Sequence, residues 1–322
     1  MTHRAAALML ALCCACGVEA PPVGGVITIS PEDLEQGEVQ SELRLAKEDR
    51  SDTLDVMSWN VEWLGSVENG PTDEALQQAN VAKVLKQTAP DLIGLVEVVS
   101  EDAFAAVVAK LPSHRGLLVT APTVASGRAY YSANEQKVGL LYNARFTVES
   151  ARVVLVDSQY SFAGRPPLEV KLRFEEGGKP RTLVVVVAHF KAMANLDGYT
   201  RRTEAAAAMK RWLDAEYVGR WVLVIGDFND DVDVSTYRRS ATPFAPFVSD
   251  SNYRFTTDAL TKANVSTTLT FSSTIDHHLA TASLASRFLE GSAKVVKVPD
   301  VILDAKTTTS DHLPVLTRYD LR

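Results

Sequence analysis

Cysteine is nearly absent from this chain of 322 residues, and its three thiols, Cys13, Cys14 and Cys16, all fall within the first sixteen positions. No disulfide can staple the rest of the chain, and no cysteine-rich zinc site can form there. Stability beyond residue 16 must come from buried apolar area. A strong positive charge is lacking too. The formal net charge is −7, which taken alone argues against nucleic acid as a partner. Neither internal repeats nor low-complexity tracts occur, so solenoids and arrays are excluded. No helix-turn-helix, zinc-finger or aromatic stacking motif appears, and base readout is not expected.

What acidity there is lies mostly at the front. Residues 1–52 hold 4 of the 33 Lys/Arg and 9 of the 40 Asp/Glu, leaving 29 against 31 for residues 53–322. A domain so close to neutral can bind a polyanion if metal cations offset clustered carboxylates. The apolar run Ala5–Ala15 after Met1-Thr-His-Arg4 is shorter than the roughly 20 residues of a permanent membrane helix. A basic start before a short apolar run is the pattern of an export signal. Ala15-Cys16-Gly17 also resembles a lipoprotein cleavage site, with Cys16 as the lipidated residue. The expected plan is a signal over 1–16, an acidic linker over 17–52 and one large domain over 53–322. The protein is expected to be exported, extracellular or in the cell envelope, with attachment to a membrane through Cys16.

From Thr53 the apolar pattern becomes regular. Strands are predicted over Leu54–Asn60, Asp91–Val98, Lys137–Tyr142, Val148–Val156, Leu168–Phe174, Leu183–Phe190 and Trp221–Gly226. Shorter ones are expected at Leu269–Phe271, Ile275–Thr281 and Leu313–Arg318. Glu176-Gly177-Gly178-Lys179 is a hairpin signal. Helices are predicted over Thr72–Thr88, capped by Thr72, over Glu101–Leu111, and over Arg201–Tyr217. Many strands, few helices and several hairpins fit two mixed sheets packed face to face with helices outside.

One pattern recurs: an apolar strand runs out, and an ionisable or amide residue stands at its end. Asn60, Glu97, His189 and the Asp227/Asn229 pair all sit so; Asp276 follows Ile275, and Asp311 and His312 precede the last strand. A lone buried carboxylate costs several kcal/mol, on the order of 3–5, unless something offsets it. So many such residues imply one shared cleft. Oxygen donors without thiols favour Mg²⁺, Mn²⁺ or Ca²⁺. Such cations beside imidazoles suit hydrolysis of a phosphate ester, where charge develops on phosphoryl oxygens.

Ser58-Trp-Asn-Val61, Ile93-Gly-Leu-Val-Glu97, His189-Phe-Lys-Ala192, Gly226-Asp-Phe-Asn229, Ile275-Asp276 and Ser310-Asp-His312 together resemble the ordered motifs of the endonuclease/exonuclease/phosphatase superfamily, nearest its deoxyribonuclease I-like branch. The resemblance spans about residues 55–318. It implies an α/β fold, a four-layer α/β/β/α sandwich, and a secreted metal-dependent phosphodiester hydrolase, most simply a nuclease of low sequence specificity with DNA, or RNA, as substrate. It implies that Glu97 coordinates the cation, Mg²⁺ or Mn²⁺ (or Ca²⁺), with Asn60 and Asp311 completing or orienting that site. Asp227 would orient or deprotonate the attacking water, and Asn229 would hold a phosphate oxygen. Asp276 would hold His312, which stabilises the transition state, and His189 would assist the leaving oxygen. Where that branch has a Glu beside its first histidine, this chain has Gln136, which can orient an imidazole but lends it no charge.

Other residues invite stories of their own. Alternation along a strand lets at most one of His277 and His278 face a cleft, so a structural or solvent role is expected of either. Asp227-x-Asn229-x-Asp231-x-Asp233 mimics a calcium loop, but Gly is missing at the sixth place and Arg238 stands at the twelfth. Arg238 and Arg239, in an irregular loop, are expected to contact substrate. Alternative readings are another phosphoesterase on the same scaffold (a phosphodiesterase, or a lipid or inositol phosphate hydrolase) and a catalytically silent binding protein. No exposed apolar hairpin of the sphingomyelinase kind is seen. Asp276-His277-His278 stands where an inositol phosphatase usually has Cys-Asp-Arg. No protein partner is predicted.

Overall fold

The computed structural model describes residues 52–322. The expected signal, Cys16 and nearly all of the acidic linker lie outside the described residues. Among the described residues thirteen strands form two mixed sheets. They are β1 Thr53–Leu64, β2 Leu92–Val98, β3 His114–Leu118, β4 Val124–Ala125, β5 Lys137–Asn143, β6 Thr147–Val153 and β7 Leu168–Glu176. Then follow β8 Lys179–His189, β9 Val222–Asp227, β10 Tyr253–Phe255, β11 Asp276–Thr281, β12 Lys294–Val295 and β13 Val315–Asp320. One sheet has the order β12-β13-β1-β2-β5-β3; the other runs β10-β11-β9-β8-β7-β6-β4. The long helices are α1 Glu74–Thr88, α2 Glu101–Ala109 and α3 Leu196–Glu216.

Strand alternation builds the layers. In β1, Leu54 and Val56 enter the core between the sheets, while Met57, Trp59 and Val61 join the core shared with α1 and α2. In β8, Leu183, Val185 and Val187 face the opposite sheet; Val184, Val186 and Ala188 pack with Ala205, Ala206 and Met209 of α3. Three apolar cores separate four layers, as an α/β/β/α sandwich requires. Both faces of the central strands are covered, which is why these segments read as unbroken apolar runs.

Several local expectations are corrected. Asp73, not Thr72, caps α1, its carboxylate accepting the Leu76 N–H. α3 begins a turn earlier than predicted, at Leu196, where the Asn195 side chain caps it. Leu269–Phe271 is not a strand. That segment folds back on itself, with the Phe271 carbonyl accepting from Ser266 and Thr268. The hairpin expected at Glu176–Lys179 forms, with Glu176 paired to Lys179.

Candidate active site

Topology brings the predicted residues together. β1 runs parallel to β2, and β8 parallel to β9, so their C-terminal ends share one rim. β11 and β13 run antiparallel to their neighbours, so Asp276 begins β11 at that rim and His312 precedes β13. Asp227 has His189 as its partner on one side and Asp276 on the other. Parity decides direction. Asn60 follows Val56, Asp227 follows Ile225 and His189 follows Val187 in steps of two or four, so all three point between the sheets. Glu97 is out of phase, since its neighbour Val96 faces the inter-sheet core. An irregularity between Leu95 and Val98 and a left-handed φ of 64° at Glu97 turn it to the rim.

The contacts form one network. The Asn60 amide donates to Glu97 Oε1 at 2.9 Å and, across the sheets, to Asp227 Oδ2 at 3.1 Å. Asn229 donates to Asp227 twice, from its backbone at 2.8 Å and its amide at 3.0 Å. His189 Nε2 lies 3.6 Å from both Glu97 and Asp227. Asp276 Oδ2 holds His312 Nδ1 at 2.9 Å, leaving Nε2 3.9 Å from Asp227 and from Asp311. Asp311 receives Thr270 Oγ1 at 3.1 Å.

Electrostatics follow from this crowding. Burial and the neighbouring Asp276 push Asp227 up to about 7, against the opposing pull of His312 and Asn60. Glu97 is raised by burial, with Asn60 and His312 working the other way. Burial disfavours a cation on His312, yet Asp276, by charge and hydrogen bond, together with Asp227 and Asp311, raises it well above the ordinary imidazole value. His189 goes the opposite way. Burial, then the cations of Arg165, His312 and Lys191, hold it well below that value, and Nδ1 has no hydrogen-bond partner. The two surroundings therefore push in opposite directions, His312 towards its charged form and His189 towards its neutral one.

Three features were not legible in the sequence. Glu62 accepts the Asp311 N–H at 2.8 Å and rises to about 7 through burial and the Asp311 charge. Arg165 is buried, with its guanidinium on Gln136 Oε1 and on the Phe190 carbonyl, which Asn229 also uses. Gln136 thus serves Arg165 and does not orient His189, correcting that expectation. Arg202 and Asp230 form a fully buried ion pair at 2.9 Å. Arg202 also donates to the Lys191 and Met193 carbonyls, while Asp230 receives Ser235 and Thr236. That pair pins the two loops that follow β8 and β9. Glu62 lies one residue past a quoted motif, which was the only available signal; Arg165 and Arg202 sit in stretches without a motif.

The cleft measures about 570 Å³ and is lined by Glu62, Glu97, Asp227, Asn229, Asp311 and His312 on a charged side, facing an apolar one. Five of its residues (Glu62, Trp63, Glu97, Met193 and Asn229) adopt left-handed backbone without being glycine. Such conformations cost on the order of 1 kcal/mol or more each and concentrate at functional sites. Arg238 and Arg239 do not line the cleft. They are exposed, just beyond Thr236, which does. His277 and His278 both miss it. His277 packs on Phe228 and Phe255 and bonds Thr257 and Thr274; His278 bonds Ser58 and Thr317 between the sheets. The structural role expected of them is what the packing gives, with neither reaching solvent.

The donor set fits a divalent cation. Glu97, His189 and Asp227 each offer a ligand atom within 4.8 Å of one another, as do Asp227, Asp276 and His312. In the second group His312 is already bound to Asp276, so the first is the better place, at its Glu97 corner with Asn60 and Asp311 nearby. Carboxylates raised by burial and mutual charge are what a hard cation would relieve.

The fold and rim define a class: a two-sheet α/β sandwich whose crossing strand ends assemble a metal-competent cleft of acids, amides and imidazoles. The chain belongs to the endonuclease/exonuclease/phosphatase family, whose sequence pattern matches residues 57–312. Among solved structures, a D. rerio TDP2 complexed with a single-strand DNA product is similar at 15% identity and TM-score 0.60, covering 83% of this chain and 99% of that one. The human Nocturnin catalytic domain with bound sulfate gives 18% and 0.55, with coverage of 83% and 94%. A family member from Bacteroides vulgatus gives 18% and 0.58, with coverage of 84% and 99%. No curated protein sequence matches the chain significantly.

Proposed function

We propose that this protein is a divalent-metal-dependent phosphodiesterase that cleaves nucleic acid at the rim cleft, with DNA as the preferred polymer. The observation that carries the reading is the hydrogen bond from Asn60 to Asp227, which joins the ends of two different sheets around one cluster. The single-strand DNA product bound by D. rerio TDP2 supports the choice of polymer.

Glu97 would hold the cation, with Asn60 and Asp311 orienting that side of the cleft. When bound, the cation neutralises charge on a phosphoryl oxygen. Asp227, pushed up to about 7 by burial and Asp276, would orient or deprotonate the attacking water. Asn229 orients Asp227, and its amide would leave the Phe190 carbonyl to donate to a phosphate oxygen. His312, held by Asp276, offers a fixed positive charge where the pentacovalent transition state gathers negative charge. His189, pushed towards its neutral form by burial and nearby cations, would assist the leaving oxygen through its one N–H as a hydrogen-bond donor and not as a charged acid. Arg238 and Arg239, which have no carboxylate at ion-pair distance among the described residues, would hold flanking phosphates. Export and attachment through Cys16 remain part of the proposal on the pattern of the first sixteen residues alone.

Purified protein should degrade plasmid DNA with Mg²⁺ or Mn²⁺ and stop with chelator. His312→Ala should lower the rate ~10²-fold or more, as loss of an electrostatic or acid–base catalyst does. Undiminished activity in that variant would remove the mechanism.

A further inference from the structure

Independently of the chemistry at the rim, we propose that a cavity at the opposite end of the sheet binds a small phosphate monoester through Lys171, Arg181 and Arg220. The cavity measures about 530 Å³, close in size to the rim cleft. It lies against Val184 and Trp221, where β8 and β9 begin to pair. From Val184 to His189 is five residues of strand, about 16 Å at roughly 3.3 Å per residue. Val184 packs towards α3, so the cavity is on the outer side of its sheet, whereas the rim residues point between the sheets.

The lining holds these three cations against one carboxylate, Glu216. Lys171 and Arg220 have no carboxylate at ion-pair distance among the described residues. Arg181 is bound to Glu176 at 2.5 Å, but Arg287 stands 3.6 Å from the other oxygen of that carboxylate, so one acid serves two guanidiniums. At the edge, Glu149 accepts the Thr182 hydroxyl and Arg173 stands opposite Thr182 on β7; those two charges offset each other. Positive charge is therefore left over here, in a domain otherwise close to neutral. Aromatic faces account for where some of these cations sit. Lys171 lies 5.5 Å from the Tyr217 ring, and Arg181 and Arg287 each lie 5.7 Å from the Trp221 ring. Arg220 has neither an acid nor a ring among the described residues, yet its backbone is fixed: its carbonyl accepts from Thr281 at 2.7 Å and from Ser283 at 2.8 Å. Folding gives that guanidinium nothing to do.

The chemistry of the ligand follows from these groups. Two uncompensated cations on one cavity suit a group with nearly two negative charges and several acceptor oxygens, which is a phosphate monoester. An aromatic ligand is not called for. The Trp221 indole is already covered by Arg181, Arg287 and Phe174, and Tyr217 is buried with its hydroxyl on Glu169. Glu216 and Thr182 can accept from hydroxyl groups instead, so the carrier is hydroxylated, as in a sugar phosphate. A polynucleotide backbone fits less well, because its charges are spread along a line and these cations share a single cavity.

Titration calorimetry on the full chain at about pH 8, where the monoester is a dianion, tests the site with ribose 5-phosphate as the probe and chelator present. Lys171→Gln and Arg220→Gln should each raise Kd ~10-fold or more, as expected of lost hydrogen bonds to a charged group. Glu216→Gln, which removes the one lining acid, should lower it. Ribose should not bind, and His312→Ala should bind the probe as the wild type does. Hydrogen exchange in the wild-type chain should slow at residues 216–221 when the probe is added, which reads the site without any substitution. Failure of the wild type to bind, a Kd unmoved by both glutamine variants, or binding lost in His312→Ala with no protection at 216–221 overturns the site. So does a single-stranded decanucleotide without terminal phosphate that protects 216–221 when ribose 5-phosphate does not, the ligand then being a polymer backbone.

Discussion

At the scale of single residues, the site is governed by where a few buried charges stand. Arg165 is a deeply buried cation beside Glu97 and Asp227, and burial lowers its pKa while those acids raise it. It touches neither the cleft nor a substrate, so its effect is to position. Arg165→Gln should lower kcat ~10-fold or more and destabilise the fold, since a buried charge network broken on one side typically costs ~3–5 kcal/mol. Arg165→Lys should recover stability more than kcat, because an ammonium cannot reach Gln136 and the Phe190 carbonyl together. Equal kcat in the wild type and both variants would remove the positioning role. A second residue-scale effect is pH dependence. His278 is buried and held down to about 3 by burial and the neighbouring His277. Between that value and the ordinary value near 6.5, the unfolded chain binds a proton that the folded chain refuses. Stability should therefore fall as pH drops through this window, by up to about 1.4 kcal/mol per pH unit from this group. In His278→Asn the urea midpoint should vary less between pH 6.5 and 4; an identical slope would show that this imidazole does not contribute.

At the scale of elements, the pair Arg202–Asp230 connects helix α3 to the loops after β8 and β9. Arg202→Met should lower stability by ~3–5 kcal/mol, because Asp230 would remain buried without its partner. It should also raise KM, because the Lys191–Met193 loop loses two hydrogen bonds. Urea unfolding and steady-state kinetics on one preparation check both; a drop in stability with unchanged KM would confine the pair to folding. This is also the scale at which the sequence was most readable. Strands β1, β2, β8 and β9 were legible because both faces are covered, leaving near-continuous apolar runs with a polar stop. The ends of those runs marked Asn60, Glu97, His189 and Asp227. Strand β3, His-Arg-Gly-Leu-Leu at a sheet edge, was not, since polar residues open it and one side lacks a neighbour. Leu269–Phe271 misled because apolar residues alternate with threonine there, while the serine and threonine hydroxyls capture the backbone instead. Arg165 could not be found at all: no periodicity surrounds it, and its importance lies in a packing that brings Gln136 and Phe190 to it from distant segments.

At the scale of the whole molecule, a cation bound by the acids at the rim would couple to folding. A cation that binds only the folded chain adds stability that grows with its concentration, about 2.7 kcal/mol at a hundredfold excess over Kd. Mg²⁺ or Mn²⁺ should therefore raise Tm, and Glu97→Gln should shift the metal concentration giving half that rise at least ~10-fold higher. The same shift should appear in the metal concentration for half-maximal rate. A Tm titration indistinguishable from wild type would take Glu97 out of the metal site.

Gly94, in the middle of β2, faces the opposite sheet so closely that a Cβ there would stand 2.7 Å from the end of the Ile225 side chain. It acts as a shim between two plates, each bearing part of the reactive machinery at its lip. A methyl group wedged at that point must displace the Ile225 side chain, and if that side chain cannot turn aside the sheets must part beneath partners that need to meet within tenths of an ångström. Mutational drift deep in the apolar interior can thus silence the chemistry while every reactive group stays in place along the chain.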